Sequence, residues 1–456
     1  MSLCRRLVAI SLPSSIPMWL LGLWLVSAPC CLGAPGWDDV PAILASIVEP
    51  TFADRDFAVT DYGAKEGSKT DCRQAIADAI KACHDAGGGR VVVPSGEWFC
   101  RGPVHLLSNV NLHLAEGATL QFSNKAEDFL PAVLTRFEGT EVMTYSPPIY
   151  ALDQHDIAVT GKGTIDGGAD DDHWWEWKQS GSKDIKRLGA MAEAGVPPAE
   201  RQFGGTQLRV NFVQPYRCER VLIEGITVHR SPMWCLNPVL CKSVTVRGVT
   251  VDSHGPNNDG CNPEACSGVL IEKCFFDTGD DCIAIKSGRN ADGRRVGRPS
   301  ENIVVRGCTM RDGHGGVVLG SEMSGGIENV FVEDCDMDSP HLERAIRLKS
   351  NSMRGGYLRN MQVRNIRVGE VSDAVFRVNL VYSEPESGPY PPAVSDVVLE
   401  NITAEKCKRP MHLVGLPESP IRGLTVRNCR FGGAKQPSLI EHVESLTLEN
   451  YTQPED

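Results

Sequence analysis

Val221-Leu-Ile-Glu-Gly-Ile-Thr-Val228 is the first clear copy of a short repeat that decides the fold, and Val244-Thr-Val-Arg-Gly-Val-Thr-Val251 is the second. Each copy holds two apolar-x-apolar runs separated by a polar residue and a glycine. The alternating apolar residues predict short strands, and the intervening pair predicts a tight bend. Later copies follow at steps of 22 to 36 residues and begin at Val269, Ile303, Val330, Met361, Val397, Leu424 and Leu446.

A repeat of this length predicts a solenoid. The strands of one copy cannot bury a face alone, so successive copies stack and share one continuous interior. We predict an all-β fold, a right-handed single-stranded parallel β-helix, as the domain of residues 56–456. A β-sandwich is the alternative, but hairpin turns such as Asn-Gly between equal strands are scarce in the chain.

One helix is predicted before the repeats, within residues 70–89. It would cap the open end of the solenoid, because the terminal coil of such a stack must be protected. The helix is predicted from apolar residues that fall on one helical face: Ala75, Ile76, Ala79, Ile80 and Cys83.

The N-terminus predicts export. Arg5 and Arg6 precede an apolar run at residues 16–28, which small residues follow. We predict a signal peptide over residues 1–34, an N-terminal linker over 35–55, and a secreted or periplasmic protein. The apolar run is short for a membrane span, so no membrane association is expected after removal of the signal. A signal anchor is the alternative.

The bulk composition excludes some partners. Lys and Arg number 46 against 58 Asp and Glu, a formal net charge of −12. That balance argues against binding to nucleic acid, although a local basic cleft could still accept an acidic substrate. The 17 cysteines are scattered, without a CxxC pair, so a zinc cluster is not predicted and most are expected to be small interior residues. We expect a monomer.

Polar clusters interrupt consecutive repeats. Gly255-Pro-Asn-Asn-Asp-Gly260 is followed by Asp280 and Asp281, then by Gly313-His-Gly-Gly316. Equivalent positions of adjacent coils stack about 4.8 Å apart. Because Asp259 and Asp280 are 21 residues apart, close to one coil, these carboxyls should be near neighbours on one face.

Three crowded carboxyls suit the cleavage of a glycosidic bond. That reaction needs a carboxylic acid to protonate the leaving oxygen and a carboxylate to activate water or attack. Crowding raises the pKa of at least one carboxyl and keeps it protonated. Arg347 and Lys349 would point the same way from one strand and suit an anionic sugar ring. Each element alone has a plainer explanation as a turn or a solvated strand face, and an aspartate cluster could also bind Ca²⁺.

With these elements in this order, residues 56–430 resemble glycoside hydrolase family 28, the polygalacturonases. The Asn-Thr-Asp element of the family corresponds to Asn257-Asn258-Asp259, and its Arg-Ile-Lys element to Arg347-Leu348-Lys349. Its Asp-Asp and Gly-His-Gly elements are Asp280-Asp281 and Gly313-His314-Gly315. The resemblance implies hydrolysis of α-1,4-linked galacturonic acid in pectin with inversion of configuration, without a metal or another cofactor.

The resemblance also implies residue roles. Asp280 would be the general acid, whereas Asp259 and Asp281 would position and deprotonate water. His314 would tune the protonation of the acid, and Arg347 and Lys349 would bind the substrate carboxylate. Further candidates for substrate binding are Asn257, Lys286, Arg289 and Tyr382.

Several alternatives stay open at this point. The stretch at residues 286–295 resembles exo-acting bacterial members, which implies cleavage from the non-reducing end. Endo action depends on whether the loops at 166–206, 289–300 and 382–392 close one end of the cleft. A rhamnogalacturonan or xylogalacturonan hydrolase, a calcium-dependent pectate lyase and a carbohydrate-binding solenoid are the other hypotheses. Tryptophans at 174, 175 and 177 could stack on sugars or pack the loop down.

Overall fold

The structure of the protein, a computed structural model, describes residues 34–383 and 388–453, so the predicted signal peptide lies outside it except for Ala34. From Pro35 onward the described chain forms one compact unit. Nine strands come before residue 145: β1 (Asp56–Ala58), β2 (Gly67–Asp71), β3 (Gly89–Val93), β4 (Gly96–Cys100), β5 (Val104–His105), β6 (Val110–Leu114), β7 (Ala118–Phe122), β8 (Val133–Phe137) and β9 (Thr140–Thr144).

The middle of the chain supplies eleven more strands. They are β10 (Ile149–Leu152), β11 (His155–Gly161), β12 (Thr164–Asp166), β13 (Val213–Tyr216), β14 (Glu219–Glu224), β15 (Thr227–His229), β16 (Lys242–Arg247), β17 (Thr250–Ser253), β18 (Ser267–Glu272), β19 (Phe275–Thr278) and β20 (Ile283–Ile285).

The last strands are β21 (Ser300–Arg306), β22 (Thr309–Met310), β23 (Val317–Gly320), β24 (Ile327–Glu333), β25 (Asp336–Met337), β26 (Arg344–Lys349), β27 (Tyr357–Glu370), β28 (Ala374–Asn379), β29 (Ala393–Lys406), β30 (Arg409–Val414), β31 (Ile421–Phe431), β32 (Leu439–Glu441) and β33 (Val443–Thr452). The α-helices are α1 (Val40–Ser46), α2 (Arg73–Asp85), α3 (Trp177–Ser180), α4 (Ser182–Glu193) and α5 (Asn290–Val296).

The predicted right-handed parallel β-helix is confirmed. Twenty-two strands form one bent sheet in which the two halves of each repeat make separate parallel ladders, as when β14 pairs with β16 and β15 with β17. The bend between the halves needs a left-handed backbone: Gly225 and Gly248 occupy it with φ of 76° and 59°, and Asn401 with 53°. Glycine and asparagine recur there because both tolerate positive φ.

A second parallel face carries the functional residues, and we call it the cleft sheet. It begins with the three-stranded ladder β5–β10–β13 and ends with the six-stranded ladder β20–β23–β26–β28–β30–β32. Two intervening coils join these ladders through bridges at residues 236–239 and 261–264. Neighbouring coils are in register, so side chains two residues apart on one strand, and at the same rung on the next, face the same side.

The interior between the sheets is one continuous apolar stack. Val, Ile, Leu and Phe occupy the inward positions of successive coils. All fourteen cysteines within the described residues are buried and free, which confirms the expectation that most cysteines are small interior residues.

Two helices cover parts of the solenoid. α2 packs against β1, β3, β5 and β6 through the five predicted apolar residues, which confirms an N-terminal capping helix. Its range is shorter than residues 70–89 because Asp71 ends β2 and accepts a hydrogen bond from the amide of Arg73. The segment predicted as a linker, residues 35–55, contains α1, which lies on the outer face near Leu270 and Phe331. Within the described residues, no helix has both the length and the apolar character needed to cross a membrane.

The cleft sheet is partly covered by an antiparallel hairpin, β8–β9, which interrupts the solenoid. This hairpin packs with α4 and with the coil at residues 233–234 through Phe137, Val142, Leu188, Met233 and Trp234. The segment at 166–206 is therefore more helical than the predicted loop, because α4 buries Leu188 against the hairpin.

Candidate active site

The structure brings nine of the ten predicted site residues to one cleft of about 480 Å³. Asp259, Asp281 and His314 stand in the turns that lead into consecutive coils of the cleft sheet, just before residue 261, β20 and β23. The nine residues that line the cleft are Asn257, Asp259, Asp280, Asp281, Lys286, Arg289, His314, Lys349 and Tyr382. Arg347 is not among the lining residues but contacts Asp281.

Asp281 is held on the floor of the cleft by two cations. Lys349 Nζ lies 2.6 Å from Oδ2 and Arg347 Nη1 lies 3.4 Å from Oδ1. The ring of Tyr382 lies 5.4 Å from the guanidinium of Arg347 and 5.3 Å from the ammonium of Lys349. The carboxylate in contact with the Arg-x-Lys pair is thus that of Asp281, and binding of a substrate carboxylate stays a prediction for these residues.

Asp280 lies nearer the rim and has different partners. His314 Nδ1 lies 2.9 Å from Oδ1, and Asn257 Nδ2 donates to Oδ2 at 3.3 Å. Burial alone would raise the pKa of Asp280, but the hydrogen bond to His314 and the charge of Lys349 hold it well below its usual range. The same hydrogen bond raises the pKa of His314.

The pKa of Asp259 is shifted in the opposite direction. Burial raises its pKa well above the usual range, and the charge of Asp280 adds to that rise, although Lys286 opposes it. Asn262 Nδ2 donates to Oδ2 at 2.7 Å, and Lys286 Nζ lies 3.6 Å from the same oxygen. Burial, with the charge of Asp280, therefore raises the pKa of Asp259, whereas the hydrogen bond with His314 lowers the pKa of the expected acid, Asp280.

The other predicted basic residues are already paired. Lys286 is buried beside Glu322, with Nζ 3.1 Å from Oε2, and its ammonium lies 4.5 Å from the centre of the Trp234 ring. Arg289 binds Glu138 at 2.6 Å. These cations therefore set the charge balance of the cleft together with neighbouring glutamates.

Sequence reasoning missed several residues of the cleft. Glu138 comes from the hairpin tip, Lys178 from α3, and Trp234 and Glu322 from coils beside the aspartates. Lys178 lies in the segment at 166–206, which the sequence singled out as a loop that could close one end of the cleft. Nothing in the repeat pattern marked the hairpin, because β8 and β9 do not belong to a coil.

The tryptophans of the insertion pack it down. Trp174 is buried against Phe129 and Tyr145, with ring centres 5.8 and 6.1 Å away. Trp175 donates from Nε1 to the carbonyl of Ser231 at 2.9 Å. None of the tryptophans at 174, 175 and 177 lines the cleft within the described chain, so the packing alternative holds.

The carboxyls of the cleft offer little to a metal ion, since Lys, Arg, His or Asn side chains contact each of them. A separate group consists of Asp252 on β17, His254 just after that strand and Asp277 on β19. Their potential ligand atoms lie within 4.8 Å of one another. His254 Nε2 is 3.5 Å from Asp252 and 3.2 Å from Asp277, which an exposed imidazole–carboxylate cluster explains without an ion.

The family model for glycosyl hydrolases family 28 matches residues 199–448, more than half of the chain. The chain belongs to glycosyl hydrolase family 28. This confirms the predicted family and makes the protein a glycosyl hydrolase.

The chain is also similar to solved structures and curated proteins named as polygalacturonases. An exopolygalacturonase from Thermotoga maritima is 43% identical, with a TM-score of 0.86 over 90% of this chain and 96% of that one. A probable polygalacturonase from Vitis vinifera is 28% identical over 81% of this chain and 73% of its own length. An exo-poly-alpha-D-galacturonosidase from Dickeya chrysanthemi is 26% identical, and this chain covers 76% of itself and 62% of that relative.

Proposed function

We propose that the protein is an exo-acting polygalacturonase that releases galacturonic acid from the non-reducing end of α-1,4-linked galacturonan in pectin. The observation that carries the proposal is a family 28 aspartate cluster in a cleft that is closed at one end. Relatives named exopolygalacturonase or exo-poly-alpha-D-galacturonosidase support the same substrate and the same mode of attack.

The closed end argues for exo action. The hairpin β8–β9 lies over the outward face of the cleft sheet, where Arg136 binds Glu264 at 2.5 Å and both side chains are buried. At the hairpin tip, the ion pair of Glu138 with Arg289 reaches the cleft itself. A polymer cannot continue through this packed region, so only a chain end fits beside the aspartates.

The charges of the cleft argue for a uronic acid. Lys349 lines the floor, and Lys178 is exposed at the edge that α3 supplies. Ammonium groups attract a carboxylate in a partly desolvated site more strongly than in water. A neutral sugar would make no use of them.

The proposed mechanism divides the aspartates between rim and floor. Asp280 protonates the glycosidic oxygen, with the proton drawn from its hydrogen bond with His314. Asp281, between Lys349 and Arg347, accepts a proton from the attacking water on the opposite face of the sugar. Asp259 positions that water through hydrogen bonding, which its raised pKa allows it to do as a donor.

Digestion of polygalacturonate with the purified protein tests the reaction class. We expect new reducing ends without ultraviolet-absorbing unsaturated products, at a rate that a chelator does not change. Proton NMR at early times should show the β-anomer first, as inversion of an α-linkage requires. Unsaturated products that vanish with chelator would instead identify a calcium-dependent lyase, and cleavage of rhamnogalacturonan alone would identify another pectic hydrolase.

The polymeric nature of the proposed substrate supports export of the enzyme. We propose that residues 1–34 are a signal peptide and that the mature enzyme acts outside the cytoplasm on cell-wall pectin. Sequencing the N-terminus of the protein recovered from the natural host should give a start near residue 35. A mature protein that retains residue 1 would contradict this.

A further inference from the structure

Arg209 is a buried arginine close to the aspartates that the roles proposed above leave unused. Only 2% of the residue is exposed. Within the described residues no carboxylate lies at ion-pair distance from it. Its guanidinium instead donates from Nη1 to the carbonyl of Pro256 at 2.5 Å and from Nη2 to Oδ1 of Asn257 at 2.7 Å. A buried cation with no carboxylate in direct contact is costly, so its position calls for an explanation.

The amide of Asn257 links Arg209 to Asp280. Oδ1 of Asn257 accepts a second hydrogen bond from Nζ of Lys178 at 2.6 Å. Arginine and lysine are donors only, so the two cations fix the oxygen of the amide on their side. Nδ2 is thereby turned towards Asp280, to which it donates at 3.3 Å.

The charge of Arg209 also acts on the aspartates. Burial lowers the pKa of Arg209 to about 10, against the opposing charges of Glu138, Asp280 and Asp259. By the same interaction, the guanidinium favours the ionised forms of these two aspartates. Loss of the charge would raise the pKa of both carboxyls.

We propose that Arg209 is a positioning residue for hydrolysis, which locks the amide of Asn257 onto Asp280 and supplies a fixed positive charge beside the acid. One carboxylate oxygen of Asp280 then accepts a hydrogen bond from Asn257, and the other stays hydrogen-bonded to His314. The inference rests on the proposed role of Asp280 as the general acid. Arg209 does not contact the substrate, because it is buried and is not among the residues that line the cleft.

Two substitutions separate geometry from charge. Arg209→Met removes both, and we expect kcat on oligogalacturonate to fall about 10- to 100-fold with KM within about threefold of the parent. The limbs of its pH–rate profile should move to higher pH. Arg209→Lys keeps the charge but cannot hold the amide and the carbonyl together, so it should lower kcat while the limbs stay in place.

A double-mutant cycle tests the route through Asn257. If Arg209 acts through that amide, Arg209→Lys, which keeps the charge, should lower kcat by less than threefold in an Asn257→Ala background. Fully additive losses would overturn the route. A rise in KM with kcat preserved would also overturn the proposal, since it would make Arg209 a substrate-binding group.

Arg201→Met is the matched control for a purely structural arginine. Arg201 is fully buried and pairs with Asp292 at 2.9 Å in the insertion. Its loss should lower the thermal midpoint without moving the pH limbs, and the same pattern in Arg209→Met would overturn the proposal. If Arg209→Met does not fold, parent-like kcat in Arg209→Lys overturns it. Parent-like activity of Asp280→Asn would instead show that the proposed acid is wrong, whatever Arg209 does.

Discussion

The two halves of the cleft sheet present the same kind of outward positions to very different surroundings. In the first half, Gln214, Asn237 and Glu264 face outward yet are fully buried beneath the hairpin β8–β9. In the second half, Arg377 and His412 occupy outward positions on β28 and β30 and remain partly exposed. The three aspartates stand where the covered half meets the open half.

The difference shows how covering one half of the cleft sheet can limit cleavage to a chain end while the catalytic residues stay the same. In the covered half, Asn237 accepts from both Asn211 and Gln214 and donates to the carbonyl of Asn262, whose own amide bonds Asp259. The outward residues beneath the hairpin are thus hydrogen-bonded to the catalytic residues. Buried hydrogen bonds of this kind favour one geometry over its alternatives.

The largest expected effect is at the border between the halves. We expect Asp280→Asn to lower kcat about 10³- to 10⁴-fold, because the amide cannot deliver the proton that the leaving oxygen needs. The thermal midpoint should stay within a few degrees of the parent. Turnover within tenfold of the parent in a folded variant would remove Asp280 as the acid.

The covered half should lose stability when its buried ion pair is broken. Arg136→Met leaves Glu264 buried without its partner, so we expect a loss of about 3–5 kcal/mol in unfolding free energy. The control is Arg422→Met in the last coil, where Arg422 pairs with Glu444 at 3.0 Å and both are exposed. That change should cost less than about 1 kcal/mol. Equal losses in denaturant unfolding would show that the cover adds no more stability than the surface.

At the open half, substitutions of Lys349 and Arg347 should differ in kind. Lys349→Met removes a cleft ammonium, so kcat/KM should fall about 10- to 100-fold, more for unesterified than for methyl-esterified substrate. Arg347→Ala should act mainly through Asp281 and depend less on esterification, because its guanidinium, unlike the ammonium of Lys349, is not among the groups that line the cleft. The ratio of kcat/KM for the two substrates measures this, and equal ratios in both variants would remove the carboxylate-binding role of Lys349.

The smallest effect concerns the pH dependence of stability at the rim. The folded-state pKa of His314 is raised by Asp280, so the protonated imidazole stabilises the fold at low pH, and this contribution is lost as pH rises through the folded pKa. His314→Gln should therefore be less stable than the parent at pH 5 and equal to it at pH 9. Thermal midpoints across this range measure it, and a difference that grows with pH would contradict the pairing.

The fold was predictable because its signal is repeated. Each coil restates the same alternation, so the strands and the bends at positions such as Gly225 and Gly248 follow from local rules that recur nine times over. The capping helix α2 was also predictable, since its buried face is a simple amphipathic stripe. The hairpin β8–β9 was not, because it occurs once and its partners come from distant segments.

The sequence predicted which residues form the site better than it predicted which of them contact one another. Spacing of one coil placed Asp259 near Asp280, and two-residue spacing placed Arg347 beside Lys349. Spacing says nothing of which cation meets which carboxylate, so the pairing of Lys349 with Asp281 and the opposite pKa shifts of Asp259 and Asp280 needed the structure.

The central claim is that the closed half admits only a chain end. A time course of products from polygalacturonate, resolved by chromatography from the first percent of conversion, tests it most directly. The account predicts galacturonic acid as the sole early product, with a slow fall in polymer length. An early spread of oligomers with a rapid drop in viscosity would contradict it.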